Sequence, residues 1–213
     1  MELLSAAEAT AYWDDRHRRE GDLRSGGDVS FDEATNEMFY VRRLGILLDL
    51  VGQYGDPVAP LYVLDAGCGK GWFSRALARF GHRVDGIDAS PAALAEGRAS
   101  GGGPRYHESA LADWHSPWPY DVVVSVDVLF HVLDETQWEA SLGNLAALVR
   151  LGGRLVVSDQ GEPGRRVYGN YQVGRGPDRY RSVLEPAGFR VDGWHPYRFR
   201  GSPIGFHAFT RTG

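Results

Sequence analysis

The 213-residue chain is poor in two residue types that build common reactive sites. Its single cysteine, Cys68, excludes an intramolecular disulfide and a zinc site built from several thiolates. Its basic residues are 22 arginines and one lysine, Lys70, so a Schiff-base lysine is excluded unless Lys70 itself serves. The chain also lacks a run of the ~18 apolar residues that a membrane span needs, and its start lacks the pattern of a signal peptide. We therefore expect a cytoplasmic protein that does not enter a membrane.

The charges of the chain are nearly balanced. It carries 23 basic and 28 acidic side chains, a formal net charge of −5, which argues against a nucleic acid as partner. No spacing of histidines and carboxylates predicts a metal site. The length fits one domain. We expect a single domain over residues 1–213, with an N-terminal helical cap over 1–55 and an α/β core over 56–213.

Predicted strands and helices alternate from about residue 61 onward. Short apolar runs predict strands at 61–66, 83–88, 105–109, 120–126 and 155–157. Helical spacing and capping residues predict helices that begin at Trp72, at Ser90-Pro91, at Asp134 and at Asp178. Residues 189–197 and 204–210 have no helix between them, which predicts an antiparallel hairpin at the sheet edge. This order is typical of a doubly wound α/β fold.

The first sixty residues differ from this pattern. Helical spacing predicts an amphipathic helix packed on the sheet, with an apolar face of Met38, Val41, Leu44, Leu47, Leu48 and Val51. Residues 12–30 are polar and rich in glycine, and an aromatic pair, Tyr12-Trp13, stands at their head. We hypothesise that residues 1–30 are a lid whose two rings pack over a bound ligand. The alternative is a terminus whose rings rest on the sheet with or without ligand.

A glycine loop follows the first predicted strand, with the sequence Asp65-Ala66-Gly67-Cys68-Gly69-Lys70-Gly71. Glycines let the chain turn sharply and bring backbone amides close to a ligand. Ligands of such sheets bind at the carboxyl ends of the strands, and Asp88 ends the second strand, where an acid can accept both hydroxyls of a ribose. The alternative is that the glycines form only a tight turn and that Asp88 only caps the helix beginning at Ser90.

The spacing of the glycines distinguishes between nucleotides. A dinucleotide fingerprint has the pattern Gly-x-Gly-x-x-Gly, and its last glycine allows a helix and a strand to pack closely. Here the third glycine comes one position early, at Gly71, and Trp72 occupies the position of the last glycine. Asp65 places a carboxylate before the loop, where it would repel a pyrophosphate but can receive an ammonium group. A ribose joined to a cationic amino acid describes S-adenosylmethionine.

Four segments of the chain together resemble the class I S-adenosylmethionine-dependent methyltransferases. They are residues 63–71 (VLDAGCGKG), 84–90 (VDGIDAS), 120–132 and 148–155 (LVRLGGRL). The resemblance covers roughly residues 60–210. It implies a Rossmann-like core, which is a mostly parallel seven-stranded sheet with helices on both faces and an antiparallel last strand. It also implies S-adenosyl-L-methionine as the cofactor.

The resemblance implies individual roles at the glycine loop and beyond. Asp65, Gly67 and Gly69 would surround the methionine portion of the cofactor, Asp88 would bind the ribose, and Ala89 would lie beside the adenine. Members of the family often bond the adenine through an acid, where this chain has Ser109 or Ala110, so backbone near Ala110 and Leu111, or the side chain of Asp113, would serve. With Tyr12 added from the lid hypothesis, the expected cofactor-binding residues are Tyr12, Asp65, Gly67, Cys68, Gly69, Asp88, Ala89, Ala110 and Leu111.

Methyl transfer from a sulfonium needs a base only where the acceptor must lose a proton. Among residues that follow the predicted strands, we select His131 and Asp127 as candidate catalytic residues. The alternative for His131 is that it caps a helix or bonds to the backbone. Other candidates are Asp159, Tyr168, Tyr171 and His195, of which the two tyrosines lie in a predicted loop at 164–176.

These patterns together predict an S-adenosylmethionine-dependent methyltransferase that acts on O, N or S of a small-molecule acceptor in specialised metabolism. Neither a nucleic acid nor a membrane is expected as a partner, and no metal is expected. Two alternatives stay open, a nicotinamide-dependent oxidoreductase and a non-catalytic S-adenosylmethionine-binding protein. The heteroatom of the acceptor and the oligomeric state also stay open at this point.

Overall fold

The computed structural model describes residues 2–52 and 59–213. Its α-helices are Ala6–Arg19 (α1), Asp22–Ser25 (α2), Glu33–Val51 (α3), Trp72–Arg79 (α4), Pro91–Ala99 (α5), Glu135–Ala147 (α6) and Pro177–Leu184 (α7). Its strands are Tyr62–Ala66 (β1), Arg83–Asp88 (β2), Arg105–Glu108 (β3), Tyr120–Ser125 (β4), Val149–Gln160 (β5), Arg165–Tyr168 (β6), Gln172–Arg175 (β7), Phe189–Pro196 (β8) and Ile204–Arg211 (β9). The boundary that we expect between cap and core, at residues 55 and 56, lies outside the described residues.

Seven of the strands form one sheet in the order β3-β2-β1-β4-β5-β9-β8. Strands β1 to β5 run parallel, whereas β9 pairs antiparallel with both β5 and β8. The strand order reverses between β1 and β4, where Val63 lies opposite Val122. A doubly wound sheet opens a ligand crevice at such a switch point. The predicted fold class and its C-terminal hairpin are confirmed.

The hydrophobic core lies on both faces of this sheet, because successive side chains of a buried parallel strand point to opposite faces. Leu64 packs in a cluster with Trp138 of α6 and Tyr180 of α7. Its neighbour Val63 packs on the other face, in a cluster with Leu47 of α3. The near-continuous apolar runs of the strands follow from this two-sided burial.

Local sequence determines where several helices begin. The hydroxyl of Ser90 accepts a hydrogen bond from the amide of Ala93 at 3.1 Å, and Pro91 is the first residue of α5. The carboxylate of Asp134 caps α6 in the same way, by accepting from the amide of Gln137 at 2.9 Å. Helix α7 begins at Pro177, one residue before the predicted start.

The predicted apolar face of α3 is wrong at two of its six residues, Met38 and Val41, while the other four pack against the core. Met38 and Val41 are 65% and 56% exposed, whereas Tyr40, Arg43 and Leu47 are buried. Leu47 and Val51 belong to both the predicted and the observed face, so the apolar residues alone fit two overlapping stripes of the helix. The observed stripe contains an arginine, which a search for apolar spacing passes over.

The segment at 164–176 is not the loop that the glycines and arginines predict. Strands β6 and β7 form an antiparallel hairpin in which Val167 lies opposite Val173. Strand β5 is also longer than predicted, since it covers Val149–Gln160 and pairs with β9 over its second half. Long-range pairing with β9 stabilises this extension, and pairing of this kind leaves little trace in local sequence.

The polar N-terminal segment is helical, as the predicted cap requires, and a capping box begins it. The hydroxyl of Ser5 accepts from the amide of Glu8, and the Glu8 carboxylate accepts from the amide of Ser5 at 2.8 Å. The length and apolar character of the described helices fall short of what a membrane span requires.

Candidate functional site

A cavity of about 740 Å³ lies at the carboxyl ends of β1, β2 and β4 and extends beneath α1. Its lining includes eight of the nine residues that we expect to bind the cofactor, together with both candidate catalytic residues. They are Asp65, Gly67, Cys68, Gly69, Asp88, Ala89, Ala110, Leu111, Asp127 and His131. The fold therefore brings together residues that are separated by more than sixty positions in the sequence.

The glycine loop holds a conformation that other residues adopt only with strain. Gly67 has a φ of 80°, in the left-handed region, and a Cβ at this position would lie 2.4 Å from a methyl group of Val128. The amides of Gly67 and Cys68 both donate to the carbonyl of Ile87, at 2.8 and 2.9 Å. These bonds fix the loop against β2 and keep its backbone open to the cavity.

Asp65 is a buried carboxylate at the end of β1. The hydroxyl of Ser74, in the first turn of α4, donates to it at 2.5 Å. Burial raises the pKa of Asp65 to about 6, although the hydrogen bond from Ser74 opposes this shift. A buried carboxylate with one hydroxyl donor gains stability from a cation, which is the chemistry that an ammonium group supplies. Sequence analysis missed Ser74, which stands three residues after Gly71.

Asp88 both orders the loop and faces the cavity. Its carboxylate accepts from the amides of Gly69 and Ser90, each at 2.8 Å, so the expected capping contact is present. Each carboxylate oxygen has a second lone pair, and the residue lines the cavity, so the contact leaves acceptor capacity for a ligand. Burial raises the pKa of Asp88, while the amides of Ser90 and Gly69 lower it.

Helix α1 lies over the glycine loop and is attached by polar contacts. Asp14 accepts from the hydroxyl of Ser90 at 2.7 Å and from the amide of Ala92 at 3.2 Å, at the N-terminus of α5. The ammonium of Lys70 donates to the carbonyl of Glu20 at 2.9 Å. These contacts explain how a segment with few apolar residues is held on the core.

The aromatic pair of α1 divides between two environments. Trp13 lines the cavity, and its ring centroid is 4.4 Å from that of His131. Tyr12 falls outside the set of described residues that line the cavity, and it stacks on Tyr171 at 5.6 Å. Adjacent residues of a helix point in directions about 100° apart, so only one of the two rings can face the ligand. Trp13 rather than Tyr12 therefore faces the cavity.

His131 is held in one tautomer by the backbone. Its Nδ1 lies 2.8 Å from the carbonyl oxygen of Tyr171, which can only accept, so Nδ1 carries the proton and donates. In the neutral ring, Nε2 then carries the free lone pair. Burial lowers the pKa of His131 to about 4, so the ring is neutral near physiological pH. The backbone contact therefore leaves a proton acceptor in the wall of the cavity.

Asp127 is engaged by strong donors on both oxygens. It forms an ion pair with Arg43 and accepts from the hydroxyl of Tyr197 at 2.8 Å. Its φ of 58° is rare for a residue with a Cβ, and its amide donates to the hydroxyl of Ser158. A carboxylate in this setting orients the guanidinium of Arg43. Sequence analysis missed Arg43, and its only local signal is an arginine on the buried stripe of α3.

Of the four other candidate catalytic residues, one lies in the described cavity lining and three do not. Tyr171 lines the cavity, whereas Tyr168, Asp159 and His195 lie outside its described lining. Asp159 instead accepts from the hydroxyl of Tyr180 at 2.9 Å, and burial raises its pKa to about 7. Ser109 and Asp113, which we consider for binding the adenine, both line the cavity. Within residues 2–52 and 59–213, no group of three or more potential ligands could hold a metal ion.

Comparisons with known proteins fit this geometry. The model of a family described as "Methyltransferase domain" matches residues 63–153. The match covers less than half of the chain, and over these residues the chain is similar to methyltransferase domains. The matched residues contain the glycine loop, Asp88 and the segment with Asp127 and His131.

A curated relative and two solved structures extend the comparison. The chain is 38% identical over 108 residues to a "Ubiquinone biosynthesis O-methyltransferase" of Xylella fastidiosa, and the aligned segment covers 48% of this chain and 43% of the relative. The chain thus spans less than half the length of that relative.

Two solved structures are similar over nearly the whole chain. A magnesium protoporphyrin IX methyltransferase from Synechocystis with bound S-adenosylmethionine aligns over 99% of this chain and 100% of its own. The TM-score of this alignment is 0.74, at 22% identity. A 1,6-didemethyltoxoflavin-N1-methyltransferase from Burkholderia thailandensis aligns over 100% of this chain and 93% of its own, with a TM-score of 0.70 and 21% identity. These two likenesses show the fold.

Proposed function

We propose that the protein transfers the methyl group of S-adenosylmethionine to an oxygen of a small-molecule acceptor. The observation that carries this proposal is His131, a neutral imidazole in the cavity wall whose Nδ1 is occupied by a carbonyl. A hydroxyl acceptor must lose its proton, whereas a neutral amine attacks through a lone pair that it already has. The name of the Xylella fastidiosa relative, which specifies an O-methyltransferase, supports the same choice.

The cofactor would lie along the glycine loop. In this placement the carboxylate of Asp65 receives the ammonium group, and that of Asp88 accepts from the ribose hydroxyls. The adenine lies near Ala89, Ala110 and Leu111, and the backbone of residues 67–69 surrounds the methionine portion. Trp13 closes the cavity from the side of α1.

The reaction is an in-line displacement, and these residues would hold the acceptor and the methyl group in reactive geometry. An oxygen lone pair of the acceptor forms the new bond to the methyl carbon. The bond from that carbon to sulfur breaks, and its electron pair stays on sulfur, which yields S-adenosylhomocysteine. The hydroxyl proton passes to Nε2 of His131. We place all of this chemistry in one domain, in which the helical cap and the α/β core share the cavity.

The experiment for this proposal uses the purified chain with S-adenosylmethionine labelled in the methyl group. A catechol and the matching 1,2-diaminobenzene are supplied in parallel as acceptors of the same shape. We expect label on the catechol oxygen and none on the diamine. Binding of S-adenosylhomocysteine without transfer to any hydroxyl of a broad phenol panel would support a non-catalytic binding protein, and tight binding of a nicotinamide cofactor would support an oxidoreductase.

We predict that Asp88→Ala weakens binding of S-adenosylhomocysteine by about tenfold to hundredfold. Each charge-assisted hydrogen bond to the ribose is worth roughly 1.5–3 kcal/mol, and about 1.4 kcal/mol is a factor of ten. Titration calorimetry measures the effect. The matched control is Asp192→Ala in β8, which lies outside the described lining of the cavity and should bind normally. Unchanged affinity of the Asp88 variant would remove the ribose assignment.

We predict that cofactor binding weakens as the pH falls below about 6. The ammonium of the cofactor pairs with the ionised form of Asp65, whose pKa burial raises to about 6. Each unit of pH below this value lowers the ionised fraction of the free site by about tenfold, so affinity should fall by about tenfold per unit. Titrations over a pH series measure this, and Asp65→Asn should bind weakly with a flatter pH profile. An equally steep profile in the variant would show that another group titrates.

We predict that residues 8–30 gain protection from hydrogen exchange when S-adenosylhomocysteine binds. A lid orders with its ligand only if the ligand contacts it, and Trp13 lines the cavity in which we place the ligand. Exchange is measured by mass spectrometry with and without ligand. Trp13→Ala should lose most of the gain, whereas Trp118→Ala, at an exposed site outside the described cavity lining, should keep it. Equal exchange in both states would favour a permanently seated helix.

A further inference from the structure

The acceptor side of the cavity contains a deeply buried cation. Arg43 is 1% exposed, and its guanidinium carbon lies 3.9 Å from the ring centroid of Phe39 and 4.3 Å from that of Tyr40. Burial by itself lowers the pKa of Arg43, but Asp127, Tyr40 and Tyr197 together raise that pKa above its ordinary value, so the charge persists. The ion pair with Asp127 uses Nη1.

The other terminal nitrogen of this guanidinium has no acceptor in the part of the chain that the structure describes. Nη2 of Arg43 is buried and lacks a hydrogen-bond partner among the described residues, and Arg43 lines the cavity. A buried charged donor without a partner costs free energy, typically about 1–3 kcal/mol or more. A protein keeps such a donor at a cavity wall where a ligand supplies the acceptor. Arg43 therefore differs from surface arginines of this chain such as Arg18, which pairs with the carboxylate of Asp14.

A second guanidinium strengthens the positive field of the same cavity. Arg16 of α1 is 9% exposed, and it donates through Nη2 to the carbonyls of Arg24 and Gly27, at 3.0 and 2.6 Å. Its buried Nε lacks a partner among the described residues. The charges of Arg16 and Arg43 both act to lower the pKa of Tyr40, although burial raises it overall, so the two cations share one neighbourhood.

The surrounding surface is aromatic. The lining of the cavity includes rings from α1, α3, α4 and the segment after β4, namely Trp13, Phe39, Tyr40, Trp72, Phe73 and Phe130. Rings of this kind stack on a flat acceptor. Asp127 pairs with Arg43, whereas Arg16 bonds to backbone carbonyls and forms no ion pair among the side chains that the structure describes. A ligand carboxylate can therefore balance the charge of Arg16.

We propose that the acceptor is an aromatic carboxylic acid whose carboxylate accepts a hydrogen bond from Nη2 of Arg43 in the field of Arg16. This inference rests on the proposed methyl transfer and names the class of acceptor for that site. Arginine suits the task because its planar guanidinium binds one carboxylate, that of Asp127, and presents a further N–H to another. Arg43 and Arg16 thereby select the acceptor, while His131 receives its proton.

The experiment compares two compounds that differ in charge and little in shape, 3,4-dihydroxybenzoate and 3,4-dihydroxybenzamide. Both are titrated into the full chain saturated with S-adenosylhomocysteine, and quenching of tryptophan fluorescence is measured. We expect the acid to bind about tenfold or more tightly than the amide, since a charge-assisted hydrogen bond is lost in the amide. If the unaltered protein binds the acid and the amide with equal affinity, or does not bind the acid, the proposal is overturned.

Variants then locate the preference. Arg43→Met should abolish it and Arg43→Lys should retain part of it, while both still bind S-adenosylhomocysteine. If Arg43→Met fails to fold because Asp127 is left unpaired, Arg16→Met serves, with Arg18→Met on the exposed face of α1 as its control. A preference that survives in both methionine variants would contradict the proposal. Absence of S-adenosylhomocysteine binding in the unaltered protein would instead contradict the proposed function, so the two failures are distinguishable.

Discussion

His131→Ala is expected to lower kcat by about 10²-fold, the lower end of the usual contribution of a general base, because a ring whose pKa is about 4 is a weak base. The variant removes Nε2, the atom that we propose takes the hydroxyl proton, and leaves the glycine loop intact. Affinity for S-adenosylhomocysteine should therefore change little. Methyl transfer at saturating cofactor and acceptor measures kcat directly. The matched control is His115→Ala, since His115 is exposed and lies outside the described lining of the cavity.

The pH profile gives an independent check on His131. Burial lowers the pKa of this ring to about 4, so the neutral form that accepts a proton persists well below the ordinary histidine pKa of 6.5. At saturating cofactor, kcat should be flat from about pH 8 down to about pH 5. An acid limb near pH 6.5 would mean that the ring titrates as an exposed histidine does, and a kcat unchanged in His131→Ala would remove its catalytic role.

Gly71→Ala is expected to destabilise the protein by about 2–5 kcal/mol, through two separate costs. The first is conformational, because the φ of Gly71 is 80° and a left-handed residue with a Cβ costs roughly 1–2 kcal/mol. The second is steric, because the new Cβ would lie 2.1 Å from the hydroxyl oxygen of Tyr106, and overpacking costs roughly 1–3 kcal/mol. Denaturant unfolding of the ligand-free protein measures the sum.

A second glycine separates these two costs. Gly81 has a φ of 89°, but a Cβ there would meet nothing within 4 Å, so Gly81→Ala should show the conformational cost alone. The difference between the two variants then reports the overlap with Tyr106. Tyr106→Phe removes the hydroxyl and should recover part of the loss in the Gly71 variant. Equal destabilisation by Gly71→Ala and Gly81→Ala would show that the loop yields to the added methyl group.

Several errors in the sequence predictions have one cause, which is that tertiary contacts stabilise polar or irregular segments. The hairpin at Val167 and Val173 exists because the two strands pair with each other, and glycines and arginines around them conceal it. The burial of Arg43 depends on Asp127, which lies 84 positions later in the sequence. No local pattern contains such a pair, so the residue that we consider decisive for the acceptor was absent from the predicted site.

The sequence by itself determined the sheet, the glycine loop and the ends of several helices. Strand periodicity, the left-handed conformations of Gly67 and Gly71, and the cap of Ser90 are set within a few residues of chain, so local chemistry is sufficient. Only the tertiary structure decided that Trp13 rather than Tyr12 faces the cavity. It also decided that the backbone of Tyr171 fixes the tautomer of His131. Finally, it decided that Nη2 of Arg43 lies in the cavity wall without a partner among the described residues. These features depend on the directions of side chains and on contacts between distant segments, which arise when α1, α3 and the β6–β7 hairpin pack around one end of the sheet.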